Sequence, residues 1–244
     1  MCVQCGSGIL RPSRRFLLGM GAAMLGTMAA GGPGHAVDLD DSVLAPPPNA
    51  IPADAALQRL MDGNARYAAN RSTQMDYSAG RAARAKAQYP IAGIVSCADS
   101  RVAPELAFDQ APGELFVVRL AGNFVNQDGL ASLEYGVEVL GIPLLMVLGH
   151  SGCGAVDATI KVIQDRIELP GHLPDLVAAL KPGVQRAIDR KPDALLDAAI
   201  LENVRYNMER LEDATPIVAE HVASGKVQVV GGVYDIATGK VTMV

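Results

Sequence analysis

Two short stretches hold most of the residues able to do chemistry: Cys97-Ala98-Asp99-Ser100-Arg101 and His150-Ser151-Gly152-Cys153. Together they offer two thiolates, an imidazole, a carboxylate and a guanidinium, a donor set suited to a zinc ion with a charged pair beside it. Zinc binds sulfur and imidazole in a tetrahedron, and a catalytic ion keeps the fourth place for water or substrate. Cys97, His150 and Cys153 supply three such ligands. His150 and Cys153 stand three apart in a glycine-containing turn, close enough to grip one ion, while Cys97 comes from another strand end. A lone cysteine or histidine is usually an ordinary core residue, but three of them at strand ends point to a metal. Asp99 and Arg101 follow Cys97 at alternate positions and reach the metal's side if the backbone stays extended. One reading makes them a surface ion pair of little worth beside a structural zinc. The other has Arg101 pin Asp99, so that the carboxylate accepts a hydrogen bond from zinc-bound water instead of ligating the ion. If Arg101 lets go, Asp99 becomes a fourth ligand and closes the site.

These residues need a scaffold that brings two strand ends together. Nearly continuous apolar runs at 91–96, 114–119 and 143–149 read as strands buried on both faces of a parallel sheet. Between the last two, Leu130, Leu133, Val137 and Leu140 mark one face of a helix over 128–140. The alternation predicts βαβ crossovers, and both clusters then lie just beyond the C-terminal ends of strands, where open α/β sheets build their sites. Further helices are expected at 53–70, 79–88, 154–164, 193–213 and 216–223, whereas the polar stretch containing Pro170, Pro174 and Pro182 is assigned none. Residues 226–230 make a fourth strand, and 233–244 fold back through Thr238-Gly239. The expected class is α/β: a mostly parallel central sheet of four strands plus an antiparallel edge strand, flanked by helices, with an N-terminal helical arm.

Composition fits one domain with accessories. Of 244 residues half are hydrophobic, and the net charge of −5 comes from interspersed signs, so nothing suggests a nucleic-acid surface and no nucleic-acid partner is expected. Cysteines at 2, 5, 97 and 153 make no disulfide framework, and the Cys2/Cys5 pair, with no second ligand pair, is read as incidental. Arg14-Arg15 followed by Phe16-Leu17-Leu18 and a Gly/Ala/Met-rich run resembles a twin-arginine export signal, with small residues at Gly34-His35-Ala36 for cleavage. That run is too short to span a membrane comfortably. Residues 1–36 are therefore read as a signal peptide, 37–50, acidic and proline-rich, as a linker, and 51–244 as the catalytic domain. The expected location is the periplasm or beyond, with no stable membrane span in the mature form.

From about Leu60 to its end the chain resembles the β-class carbonic anhydrases, which hydrate carbon dioxide to bicarbonate. The match is carried by residues 97–101, by Gly149-His150-Ser151-Gly152-Cys153-Gly154, by Leu115-Phe116-Val117-Val118-Arg119 with Ala121-Gly122-Asn123, and by Ser132-Leu133-Glu134-Tyr135. Gly63-Asn64-Ala65-Arg66-Tyr67 adds a short match to the family's N-terminal arm. The resemblance implies zinc on Cys97, His150 and Cys153, and a catalytic pair in Asp99 and Arg101. It implies that Gln88 reaches across a dimer to hydrogen-bond substrate, and that Phe116 and Tyr135 line a small apolar pocket. Without it, Gln88 is a solvated helix residue and both aromatics are core. Ile94 stands where some members use a tryptophan to bind regulatory bicarbonate, so that mode is not expected. The resemblance further implies a homodimer or tetramer with sites at the subunit interface, and hydration of carbon dioxide by zinc-bound hydroxide. His172 and His221, distant in sequence, are read as exposed histidines rather than proton shuttles. Two alternatives stay open. One is hydrolysis of carbonyl sulfide or carbon disulfide by the same hydroxide. The other is a non-catalytic zinc or thiol redox module, against which the Asp99 and Arg101 pair argues, since a structural zinc needs four closed ligands and no such pair.

Overall fold

The computed structural model describes residues 47–244. The signal assigned to 1–36, most of the 37–50 linker and the Cys2/Cys5 pair lie outside the described residues. The elements run α1 (Ala53–Ala68), α2 (Arg81–Arg84), β1 (Ala92–Ser96), α3 (Pro104–Ala107), β2 (Leu115–Arg119), α4 (Gln127–Glu138), β3 (Leu144–His150), α5 (Gly154–Asp165), α6 (Leu173–Arg190), α7 (Leu195–Glu212), α8 (Ile217–Ala223), β4 (Gln228–Tyr234) and β5 (Val241–Met243). The strands form one sheet in the order β2-β1-β3-β4-β5, parallel except for the last pair. This is the expected four parallel strands with one antiparallel edge.

The central strand shows why its sequence is continuously apolar. All of β3 is buried. Its even positions, Leu144, Met146 and Leu148, pack with Ala56 and Leu60 of α1 and with Phe108. Its odd positions, Leu145 and Val147, pack with Leu133 and Val137 of α4 and Val204 and Leu211 of α7. A strand covered on both faces has no polar side to alternate with. At the sheet's edge β2 is only partly buried along Leu115–Val118 and exposed at Arg119.

Local chemistry sets the helix positions. Asn126 caps α4 by accepting the Gly129 N–H at 2.8 Å. On α1 the buried Asn64 donates from Nδ2 to the carbonyls of Ala107 (2.9 Å) and Gly239 (2.8 Å), while its Oδ1 accepts the Val241 N–H (2.8 Å). Arg66, two residues on, donates to Asp109 at 2.6 Å. The short Gly63–Tyr67 match thus serves to fasten the arm helix to the sheet's β5 edge.

Two sequence expectations need correction. The helix placed over 79–88 shrinks to Arg81–Arg84. The proline-containing stretch given no helix is α6, eighteen residues long with Pro182 inside it. A proline frees the carbonyl one turn back, here that of Ala178; both residues are exposed, so water satisfies it. Val177, Leu180, Val184 and Ala187 give α6 a buried face that outweighs the lost bond. Among the described residues no helix is long and apolar enough to cross a membrane.

Candidate metal centre

β1 and β3 are neighbours, so the residues after their C-terminal ends meet. Cys97 follows β1 directly, His150 is the last residue of β3, and Cys153 immediately precedes α5. All three are buried, and their ligand atoms lie within 4.8 Å of one another. Apolar side chains of α5, α6 and α7, among them Val156, Leu180 and Ile200, enclose the two cysteines.

The donor atoms suit a cation. His150 Nδ1 lies 3.0 Å from the Ser151 carbonyl, which can only accept, so Nδ1 carries the hydrogen and Nε2 keeps its lone pair. Nε2 is buried with no hydrogen-bond partner. An orphaned buried acceptor beside two sulfurs is costly unless an ion fills the space between them. The electrostatics of the cluster point the same way. The Cys153 thiol beside Cys97 holds the Cys97 thiol down at about 4, against the opposing effect of burial. Cys153 is pushed well above the ordinary thiol range, because Cys97 takes its hydrogen bond and burial disfavours its charge. Burial would lower His150, but the neighbouring Cys97 sulfur outweighs it and raises the imidazole. The pair of sulfurs therefore shares one proton where a zinc ion would take its place.

Asp99 and Arg101 stand at the mouth of this cluster. They meet through a turn rather than along extended backbone: Asp99 Oδ1 accepts the Arg101 N–H at 2.9 Å, and the Val102 N–H bonds to the Asp99 carbonyl at 3.0 Å. The Arg101 guanidinium then closes a fork, Nε to Oδ1 at 3.0 Å and an Nη to Oδ2 at 2.7 Å. That fork holds the Asp99 carboxyl far below the usual carboxylate range, with burial opposing. Asp99 Oδ2 faces His150 Nε2 at 3.9 Å, so the carboxylate borders the ligand cluster while both its oxygens are engaged by Arg101.

The three substrate-side residues lie elsewhere in the chain. Gln88 is exposed ahead of β1, in a cleft of about 380 Å³ with Arg59, Arg84, Tyr89 and Glu114, at the opposite end of β1 from Cys97. Phe116 sits within β2, opposite Gly93, and packs with the cluster around α4. Tyr135 is 49% exposed on α4. Phe116 on β2, Tyr135 on α4 and Gln88 are not among the side chains that pack around Cys97 and Cys153. His172 is fully exposed, and His221 pairs with Glu138 at 2.8 Å.

Sequence reasoning passed over Arg119 as a site residue. From the end of β2 its Nε donates to the Cys97 carbonyl (2.9 Å) and an Nη to the Asp99 carbonyl (2.6 Å), bracing the turn that carries ligand and carboxylate. A charged residue ending an apolar strand beside β1 was the available signal. Gly122 was also passed over; its N–H donates to Cys97 Sγ at 3.2 Å.

A family model described as carbonic anhydrase matches residues 92–241. The carbonic anhydrase of Mycolicibacterium smegmatis is 38% identical over 199 residues, 80% of this chain and 95% of that protein. Carbonic anhydrase 2 of Mycobacterium tuberculosis is 38% identical over 203 residues, covering 80% and 94%. Among solved structures, the β-carbonic anhydrase CcaA superposes with a TM-score of 0.59 at 26% identity, over 78% of this chain and 87% of that one. The Coccomyxa β-carbonic anhydrase in complex with acetazolamide gives 0.58 at 29% identity, over 77% and 86%.

Proposed function

This chain belongs to the β-class carbonic anhydrases, and from that premise we propose how its residues divide the interconversion of carbon dioxide and bicarbonate. Cys97, His150 and Cys153 hold zinc. When bound, zinc supplies a Lewis acid that makes water nucleophilic near neutral pH. Asp99 accepts a hydrogen bond from the attacking water through Oδ2, the oxygen facing the ligand cluster, and so aims the water's lone pair at carbon. Arg101 occupies both Asp99 oxygens and restrains the carboxylate from becoming a ligand. The observation that carries this reading is the orphaned, buried His150 Nε2, enclosed by two sulfurs and bordered by an arginine-held carboxylate.

Gln88, Phe116 and Tyr135 act, on this reading, at the centre of a second copy of the chain. They are not among the side chains packed around their own chain's ligand cluster, which supports a homodimer or a multiple of it. Phe116 and Tyr135 then supply an apolar wall for carbon dioxide, and the Gln88 amide donates to one of its oxygens. Stopped-flow hydration of carbon dioxide with parallel zinc quantification tests the assignment. Turnover scaling with zinc content is expected; hydrolysis of carbonyl sulfide without carbon dioxide hydration, or zinc with neither activity, would replace it.

The chain is exported as a folded, zinc-loaded protein. Arg14-Arg15 and the apolar run after it support a twin-arginine route, which spares two bare thiolates from meeting an oxidising compartment before metal reaches them. The cytoplasmic precursor is expected to contain zinc already, and a metal-free precursor in zinc-replete cells would count against this order.

A further inference from the structure

Beyond the ligands and the charged pair, the structure contains a buried relay of amide groups that ends on a ligand sulfur. Val125 N–H donates to Asn207 Oδ1 at 2.8 Å. Asn207 Nδ2 donates to Asn203 Oδ1 at 3.1 Å and to the Asn203 carbonyl at 2.8 Å. Asn203 Nδ2 donates to the Gly122 carbonyl at 2.8 Å, and the Gly122 N–H donates to Cys97 Sγ. Each asparagine amide is oriented by the one before it, because an oxygen that accepts leaves only the nitrogen to pass the bond on, and the last link runs through the Gly122 backbone, whose carbonyl and N–H belong to successive peptide units. Both asparagines are essentially inaccessible to solvent, 0% and 1% exposed, one helical turn apart on α7.

The surrounding packing holds this relay in place. Gly183 of α6 lies against the Asn203 backbone, where a Cβ would come within 2.8 Å of the Asn203 Cα. Gly122 has φ +86° and faces Leu180, whose two Cδ atoms would each be 2.8 Å from a Cβ there. The loop carrying Gly122 is therefore pressed between α6 and α7 with its carbonyl aimed at Asn203 and its N–H at the sulfur. Holding a sulfur that bears charge requires that donor to stay aimed, and partners of this kind tune a metal by orienting and polarising its ligands.

We propose that Asn203, with Asn207 behind it, is a positioning residue for the metal centre: it fixes Gly122 so that the peptide N–H polarises the Cys97 thiolate. The inference rests on the assignment of Cys97 as a zinc ligand. When the relay is cut, Gly122 is free to turn, the sulfur loses its donor, and its lone pairs rise in energy. The centre then becomes a more basic thiolate on a less rigid loop.

The test loads the full-length protein and its variants with cobalt(II), whose thiolate-to-metal charge-transfer band reports sulfur donor strength, and follows zinc release to a chelator. Asn203→Ala is expected to shift the band to longer wavelength and to release zinc about tenfold faster. Asn207→Ala, which leaves the bond to Gly122 but removes its brace, is expected to do both to a smaller degree, and it decides the matter if Asn203→Ala does not fold. Glu202→Gln controls for stability, since Glu202 is equally buried on α7 but is paired with Arg190 and Arg205, outside the relay. It is expected to lower the unfolding temperature with band and release rate unmoved. Asparagine variants that lose stability but keep the parental band and release rate overturn the proposal. Absence of any thiolate band in the parent protein overturns the metal centre itself, and the positioning role with it.

Discussion

The two ends of β1 are built in opposite ways. At its C-terminal end the groups of the centre are tied down: Cys97 is buried, its carbonyl is held by Arg119, its sulfur by Gly122, and Asp99 is forked by Arg101. At the other end, and along β2, Gln88 is exposed, Tyr135 is half exposed and Val139 is 62% exposed. The first region is preorganised within one chain. The second offers apolar and amide groups with nothing of the same chain against them at the ligand cluster. On the proposed reading, a single chain holds the ligand cluster and its charged pair ready-made and leaves the substrate wall to be completed by a second copy.

That contrast can be broken most sharply at the finished end. Arg101→Ala leaves the three ligands in place, so zinc content should stay near that of the parent while carbon dioxide hydration falls by about 10²- to 10³-fold. Unchanged turnover would falsify the role given to the charged pair. Subunit mixing tests the unfinished wall. Arg101→Ala and Gln88→Ala chains, each weak alone, regain about a quarter of parental activity when co-refolded if Gln88 serves the partner's centre, because half the dimers are mixed and each has one intact site. No recovery would place Gln88 in the site of its own chain.

The third prediction concerns protons. Cys97 is held low and Cys153 is raised by the same contact, so the pair keeps a proton that must leave when metal binds. Zinc affinity should therefore rise about tenfold per pH unit between pH 6 and 8 from that one proton, and more steeply at the low end where the raised His150 also competes. Chelator competition across this range measures the slope, and a flat profile contradicts the shared-proton picture. The smallest effect belongs to stability. Asp99 has a depressed folded-state pKa, so its pairing stabilises the fold above the ordinary carboxylate range and that contribution disappears as pH falls through the folded value. Arg101 is largely exposed, and solvent screens the pair. Parent and Arg101→Ala should unfold at nearly the same temperature at pH 7 by calorimetry; a large difference would make the pair structural.

Much of the site was legible because its chemistry is local in sequence. Cys97, Asp99 and Arg101 share one turn, and His150 and Cys153 share another, so ligand type and spacing were enough to name them. The path by which Asp99 meets Arg101 was not legible, since alternation along extended backbone and an Asp-centred turn place the same two side chains together by different geometry. Arg119, Asn203 and Asn207 were invisible for another reason. They act through backbone carbonyls and amides far away in sequence, and an asparagine inside a helix carries no mark of what it faces. In the fold, α6 was missed because its prolines spoke louder than its apolar face, although Val177, Leu180 and Val184 keep helical spacing.

By itself the amino-acid sequence determined the parallel sheet, through apolar runs too continuous to have a solvent face, and the donor set of the centre, through side chains whose chemistry is intrinsic. Tertiary structure alone decided how those donors are held. It brought the ends of β1 and β3 together, left His150 Nε2 without a partner, and placed α7 against the loop that faces Cys97. The division has a physical reason: ionisation and ligand type belong to a residue wherever it goes, whereas a hydrogen bond to a backbone atom exists only when packing has put that atom within reach.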